Sequence, residues 1–408
     1  MKFKYLISIL IAAVVIRTLS GCAGQGLLTE KYPPEFYTVP HLLPENTESF
    51  NPAFIVYGDT QGSWSLTHKF LNSDYWWTPK ALIFPFYEIY MLGQGSVGIF
   101  NYIRRTPDVD PDLRLFIRET VYRDVKTNGW DFILNTGDIC LNDGRRTQNW
   151  AVFLQENMHD SPLLREIPYL PTVGNHDRVN DKKFGYPNYK AVFGYDPFYR
   201  IDFKDMTLIV LNSNIITDWK NELDDDLRQE LFRQWFVSGD ENNPAWLEAQ
   251  LADSDKKFKI VSIHNCPFSF ANHWNDWGRN SGGVEAEDMR NKVVETMKKY
   301  GVNAVFSGHD HVYQHNILRL DDYPGGGIHF IVSSSGGVPL RDRNSDKNMW
   351  EIHNYYLEQG FDVEPFMQEK KLHYTVVKVD SMSLNIRTME LSLEGGEEVL
   401  DSLTIKRD

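Results

Sequence analysis

Six side chains of the kind that grip divalent cations stand just after short apolar runs. They are Asp59 after Gly58, Asp138 after Gly137, Asn175 after Gly174, His264, and the pair His309 and His311 after Gly308. Two carboxylates, three imidazoles and an amide oxygen suit two cations of intermediate hardness. A carboxylate can bridge such a pair at roughly 3.5–4 Å. In Gly174-Asn175-His176-Asp177, Asn175 offers a neutral oxygen, His176 can stand beside a metal without coordinating it, and Asp177 can hold the imidazole in one tautomer. Singly, each has a plainer role. Asp after Gly often caps a turn, and a loop His is often solvated. Five matching positions in order along the chain favour chemistry over these plainer roles.

The runs before these residues have the length and composition of strands: 54–57, 132–135, 169–173, 259–263 and 304–306. Between them, 111–126, 147–157 and 285–299 carry helical spacing, the last closed by Gly301, and Asn243-Pro244 opens a helix with Pro in its first turn. This rhythm predicts a parallel or mixed sheet with helices on its faces. Sites in such sheets form outside the carboxyl ends of the strands, so residues hundreds of positions apart can converge. Residues 198–203 and 207–211 alternate around Lys204-Asp205. Residues 328–333, 374–379, 384–389 and 403–406 predict antiparallel strands.

The chain has 408 residues and a formal charge of -14, which argues against a nucleic-acid backbone as its main partner. At the N-terminus Lys2 and Lys4 precede an apolar stretch, 5–16, too short to span a bilayer comfortably. Leu19-Ser20-Gly21-Cys22 follows and resembles a bacterial lipobox. Residues 1–21 are then expected to be a signal peptide, with Cys22 lipid-modified and anchored to the membrane. Ala23 in place of an acid points to the outer membrane or cell surface of a bacterial envelope rather than the inner membrane. Residues 22–50, rich in Pro, Thr and Glu, suggest a tether, and 51–408 one domain with two insertions. The first, near 64–105, is aromatic; its apolar part, 82–103, suits a packed helical insertion or a membrane-facing hairpin. The second, near 214–243, is acidic and expected to be a solvated surface. Cys140 and Cys266 are either one disulfide or two buried thiols.

Taken together, Asp59-Thr60-Gln61, Gly137-Asp138, Gly174 to Asp177, His264 and Gly308 to His311 resemble the blocks of the calcineurin-like metallophosphoesterases, which include the purple acid phosphatases. The resemblance covers about residues 53–390. It implies an α/β fold, a four-layer sandwich of two mixed β-sheets flanked by helices, and hydrolysis of a phosphomonoester or phosphodiester by hydroxide generated at two divalent ions (Mn, Fe or Zn). On this resemblance Asp59 and His311 bind metal one, Asp138 bridges, and Asn175, His264 and His309 complete metal two. His176 serves as general acid or polarises a phosphate oxygen, with Asp177 orienting it. His273 matches a rim histidine, and Arg145 could hold a phosphate bidentately. His315, just beyond the double-His loop, is expected to be structural. The chain departs from the pattern in two places: the usual first-block His is Gln61, and the alternative Tyr ligand is Leu141. Metal one then has a weak amide ligand or one ligand fewer, which predicts lower affinity there, a harder metal, or filling assisted by the substrate. The same departure motivates an alternative: a surface lipoprotein that binds a phosphorylated or glycan ligand without turning it over.

Overall fold

The computed structural model describes residues 26–61, 111–140, 144–145, 147–177, 185–217, 223–277, 284–342 and 348–407. The expectations for 1–25, 64–105 and Leu141 lie outside these. Among the described residues no helix is long and apolar enough to cross a membrane.

Thirteen strands among the described residues form two mixed sheets. The six-stranded sheet contains β1 (Ala53–Tyr57), β2 (Phe132–Asn135), β3 (Tyr169–Pro171), β11 (His373–Val379), β12 (Ser383–Leu391) and β13 (Glu397–Lys406), in the order β13-β12-β11-β1-β2-β3. The seven-stranded sheet contains β4 (Tyr199–Asp202), β5 (Met206–Leu211), β6 (Phe258–Ile263), β7 (Ala304–Ser307), β8 (Tyr313–Arg319), β9 (Gly327–Ser333) and β10 (Val363–Glu369), in the order β10-β8-β9-β7-β6-β5-β4. β1, β2 and β3 run parallel, as do β5, β6, β7 and β9; the remaining pairings are antiparallel.

The apolar runs lack a polar face because these strands are covered on both sides. Alternate residues serve different layers. Phe54, Val56, Phe132 and Leu134 face the opposite sheet and meet Leu208, Val210, Ile260 and Phe306. Ile55, Tyr57 and Ile133 point outward, into a cluster with Ile117 and Val121 of helix Pro111–Asn128 and Phe193 of helix Gly185–Phe193. On the other side Ile209, Val261 and Val305 pack with Leu247, Val293 and Tyr356 from three further helices. The four layers are helix, sheet, sheet, helix.

Three expectations need correction. Residues 26–50 are not a free tether where described. Leu28 is fully buried, its N–H donates to Asn188 Oδ1 at 2.8 Å, and Tyr37 and Val39 join the helical cluster on the six-stranded sheet. The second insertion is not wholly solvated. Helix Asp225–Trp235, N-capped by Asp224, turns Phe232 into the core, and Phe236 follows it there. Pro244 does not open its helix: Glu248 accepts from the N–H of Ala245 at 2.9 Å, which fixes the helix as Trp246–Asp253 with Pro244 outside. Cys140 and Cys266 are both buried and not disulfide-bonded, so the disulfide option is not realised.

Candidate metal centre

The parallel register puts several chain exits at one edge of the sandwich. Tyr57 pairs with Asn135 and Asn135 with Pro171, so β1, β2 and β3 end side by side. β6 and β7 are paired in the same sense, so His264 and Gly308 leave the other sheet together, and Gly308 N–H donates to His264 O at 2.9 Å. Buried polar groups join the two edges: Thr136 Oγ1 donates to Ser333 O at 3.0 Å, and Thr172 and Ser262 share a hydroxyl hydrogen bond at 2.6 Å.

The loops leaving these strands are strained. Asp59, Gln61, Asp138, His309 and His311 have φ of 57°, 34°, 52°, 74° and 54°. Left-handed backbone costs roughly 1–2 kcal/mol for each residue with a side chain, and here it turns the side chains into one hollow. Two glycines permit the close approach. A Cβ on Gly174 would lie 2.2 Å from both N and Oδ1 of Asp138, and one on Gly308 would lie 2.6 Å from Asp59 Oδ2.

In that hollow Asp59, Gln61, Asp138, Asn175, His264, His309 and His311 are all buried. Asp138 is central. Its Oδ1 lies 3.3 Å from His264 Nε2 and accepts the His176 N–H at 2.8 Å; its Oδ2 lies 3.7 Å from His176 Nε2 and accepts from Gln61 Nε2 at 3.2 Å. Asn175 Oδ1 is 3.0 Å from His264 Nε2. Asp138, His264 and His309 each offer a ligand atom within 4.8 Å of one another. Asp59 Oδ1 lies 3.6 Å from His311 Nε2, and both its oxygens accept the His309 N–H, at 3.1 and 3.0 Å.

Asp177, expected to orient the His176 ring, commits Oδ1 to the Cys140 N–H and Oδ2 to the Gly174 N–H, each at 2.9 Å. It fixes the turn that carries His176. Arg145 sits in the neighbouring turn, where Gly144 N–H donates to His176 O at 2.9 Å. His273 lies against the centre, its ring centroid 3.9 Å from that of His309. His315 is away from it, bonded at 2.7 Å to Asp401 and at 2.9 Å to His329.

Two neighbours went unread in the sequence. Asp276 Oδ2 lies 2.6 Å from His309 Nε2 and 3.1 Å from His273 Nδ1. Its only signal was its place three residues after His273. Arg341 hydrogen-bonds His311 O through its backbone N–H at 2.9 Å, and its guanidinium contacts His273 Nε2. Nothing local to the sequence marked it.

The electrostatics are those of a cation site. Burial, reinforced by the Asp138 charge, raises the Asp59 carboxyl well above the usual range. Burial also works to raise Asp138, but the His264 and His176 imidazoles outweigh it and hold that carboxyl far below. Two buried carboxylates this close are not both ionised without positive charge between them. Burial favours a neutral His264, yet the Asp138 charge beside it lifts its proton affinity to about 10. A cation on Nε2 competes with that proton. His309 is held down to about 3, first by burial and then by His273, and His311 well below its ordinary value by burial and Arg341. These two are therefore neutral imidazoles with a free lone pair. The donor set fits divalent cations of the Mn, Fe and Zn type.

A sandwich of two mixed sheets with Asp, Asn and His converging at the strand ends defines a class, and the comparisons agree. The chain belongs to the calcineurin-like phosphoesterase family, whose sequence model matches residues 52–313, and it is thereby a phosphoester hydrolase by kinship. It is similar to tartrate-resistant acid phosphatase type 5 of Sus scrofa, 26% identical over 251 residues, covering 59% of this chain and 67% of that protein. It is similar also to purple acid phosphatase 17 of Arabidopsis thaliana, 22% identical over 261 residues, covering 60% and 68%. In fold it resembles the purple acid phosphatase PPD1 of yellow lupin (Lupinus luteus) seeds, with a TM-score of 0.56 and 16% identity. That match covers 90% of this chain and 55% of the lupin one.

Proposed function

We propose that the chain hydrolyses a phosphomonoester or phosphodiester at a pair of divalent ions. The observation that carries this is the convergence of Asp59, Asp138, Asn175, His264, His309 and His311 in one buried hollow. Asp59 and His311 would hold one ion and Asn175, His264 and His309 the other, with Asp138 available to both. When bound, such ions supply Lewis-acid charge to the phosphoryl oxygens and acidify a water. The protein does the rest. Asp138 keeps its charge and draws His176 in, with Nε2 at 3.7 Å, while the side chain stays 28% exposed at the opening. From there His176 donates a proton to the leaving oxygen. The guanidinium of Arg341, set against His273 at the rim, receives the phosphoryl group.

Gln61 supports the second reading, a binder without turnover. Its amide Nε2 lies on Asp138 where related chains carry a ligand His, which weakens the first ion. We place the protein in a bacterial envelope, lipid-anchored through Cys22; mass spectrometry of the purified protein checks this, with Cys22→Ala losing the acyl mass.

The full chain in detergent, loaded with Mn, Fe or Zn, is assayed on aryl phosphate monoesters and diesters. Turnover is expected, with Asp138→Asn losing metal and rate together. His176→Ala is expected to lower kcat by about 10²–10⁴ with metal retained. Metal uptake and ligand capture without hydrolysis would establish the binder instead. Neither metal nor turnover would end both readings.

A further inference from the structure

We infer that Asp276 is the positioning residue that fixes His309 on the second ion, a conclusion that rests on the two-ion reading above. His309 has two ring nitrogens, and Nε2 lies 2.6 Å from Asp276 Oδ2. An ionised carboxylate only accepts, so Nε2 carries the proton and the lone pair is on Nδ1. Nδ1 is therefore the nitrogen available to a cation shared with Asp138 and His264. The second imidazole of this ion is built the same way from a different acceptor. His264 Nδ1 lies 2.8 Å from Thr136 O and Nε2 faces Asp138. A ligand histidine whose other N–H meets an acceptor is fixed in tautomer and orientation, and a charged acceptor also raises its basicity. His264 has a carbonyl for this duty; His309 has the carboxylate.

Asp276 is itself held. His273 Nδ1 lies 3.1 Å from the same Oδ2, and Asn265 Nδ2 donates to it at 3.4 Å. The next residue, Trp277, is buried with its indole N–H on Asn265 O at 3.2 Å, which pins the turn from behind. His273, Asp276 and His309 also form a compact trio of potential ligands. The Arg341 guanidinium against His273 opposes a further cation there, and three N–H groups, from His309, His273 and Asn265, already meet Oδ2. The trio is thus a support for His309 rather than a third metal site.

The test is Zn(II) affinity by chelator competition on the full chain, for wild type, Asp276→Ala, Asp276→Asn, His309→Ala and the double variant Asp276→Ala/His309→Ala. Asp276→Ala should weaken one of the two ions by about 10–100-fold, leaving the other within about twofold. Asp276→Asn, whose amide oxygen still accepts, should recover part of the loss and keeps the test open if the alanine variant does not fold. The double variant should bind no more weakly than His309→Ala, because Asp276 acts through that ring. Wild-type affinity in Asp276→Ala would overturn the assignment. So would a further tenfold loss in the double variant, which would make Asp276 a ligand itself. Zn(II) uptake by the wild type keeps either failure distinct from failure of the phosphoesterase reading; no uptake by the wild type would remove both.

Discussion

The glycines before Asp138, Asn175 and His309 are as much part of the proposed centre as those side chains themselves. A Cβ on Gly174 would overlap the backbone and carboxylate of Asp138, which cannot move without moving the whole hollow. Gly174→Ala is expected to cost about 1–3 kcal/mol of stability through overpacking. It should lower kcat/KM by up to about 10²-fold, the effect of an ångström-scale misplacement. Thermal unfolding and steady-state kinetics on one preparation check both; unchanged kinetics would show that Asp138 need not be held there. The residue types could be read from the chain because each stands just past an apolar run, with Asp59, Asp138, Asn175 and His309 directly behind a Gly. Asp276 and Arg341 could not. They enter from a turn and from a loop, and three-dimensional placement alone, not local pattern, brings them to His309 and His273.

At the scale of elements, the runs covered on both faces were the most legible. Their apolar stretches could be nothing else, and β1, β2, β5, β6 and β7 fall within a residue or two of the expected bounds. Less was visible where buried residues are polar, as in β8, or burial is one-sided, as in β10. β8 and β10, and the helices Gly185–Phe193 and Met349–Glu358, mix polar with apolar residues and gave no clean period. Helix Asp225–Trp235 hid its packing face behind acids. The aromatic stack in the middle layer shows what secures the site's strands. Phe132 of β2 is fully buried between Phe54, at 4.4 Å centroid to centroid, and Phe203, at 5.4 Å. Phe132→Ala should cost about 3–5 kcal/mol. Activity well below the melting temperature should remain, because the pairing of Tyr57 with Asn135 does not depend on the ring. Urea titration beside a rate assay tests this, and equal loss of rate and stability would contradict it.

Across the whole molecule, the two sheets are joined at the far side by buried histidines. His329 Nε2 donates to Gly325 O at 3.1 Å, and its Nδ1 lies 2.9 Å from His315, which reaches Asp401 of β13. Burial lowers the proton affinity of His329 to about 4, and burial does the same to His373 in β11. The unfolded chain protonates these groups near pH 6.5 while the folded one stays neutral to about 4. Stability they contribute is therefore complete above pH 6.5 and lost as pH falls toward 4, about 3 kcal/mol for each. His329→Gln should flatten the fall in unfolding free energy between pH 6.5 and 4; an unchanged slope would assign it elsewhere.

The hydrolytic reading depends on Asp138 serving two ions. The most direct measurement is anomalous X-ray diffraction at the absorption edge of the loaded metal, on crystals of the full chain. The account predicts two peaks roughly 3.5–4 Å apart, one by Asp59 and His311, the other by Asn175, His264 and His309, with the Asp138 carboxylate between. No peak in the hollow, or peaks that Asp138 does not join, would contradict it.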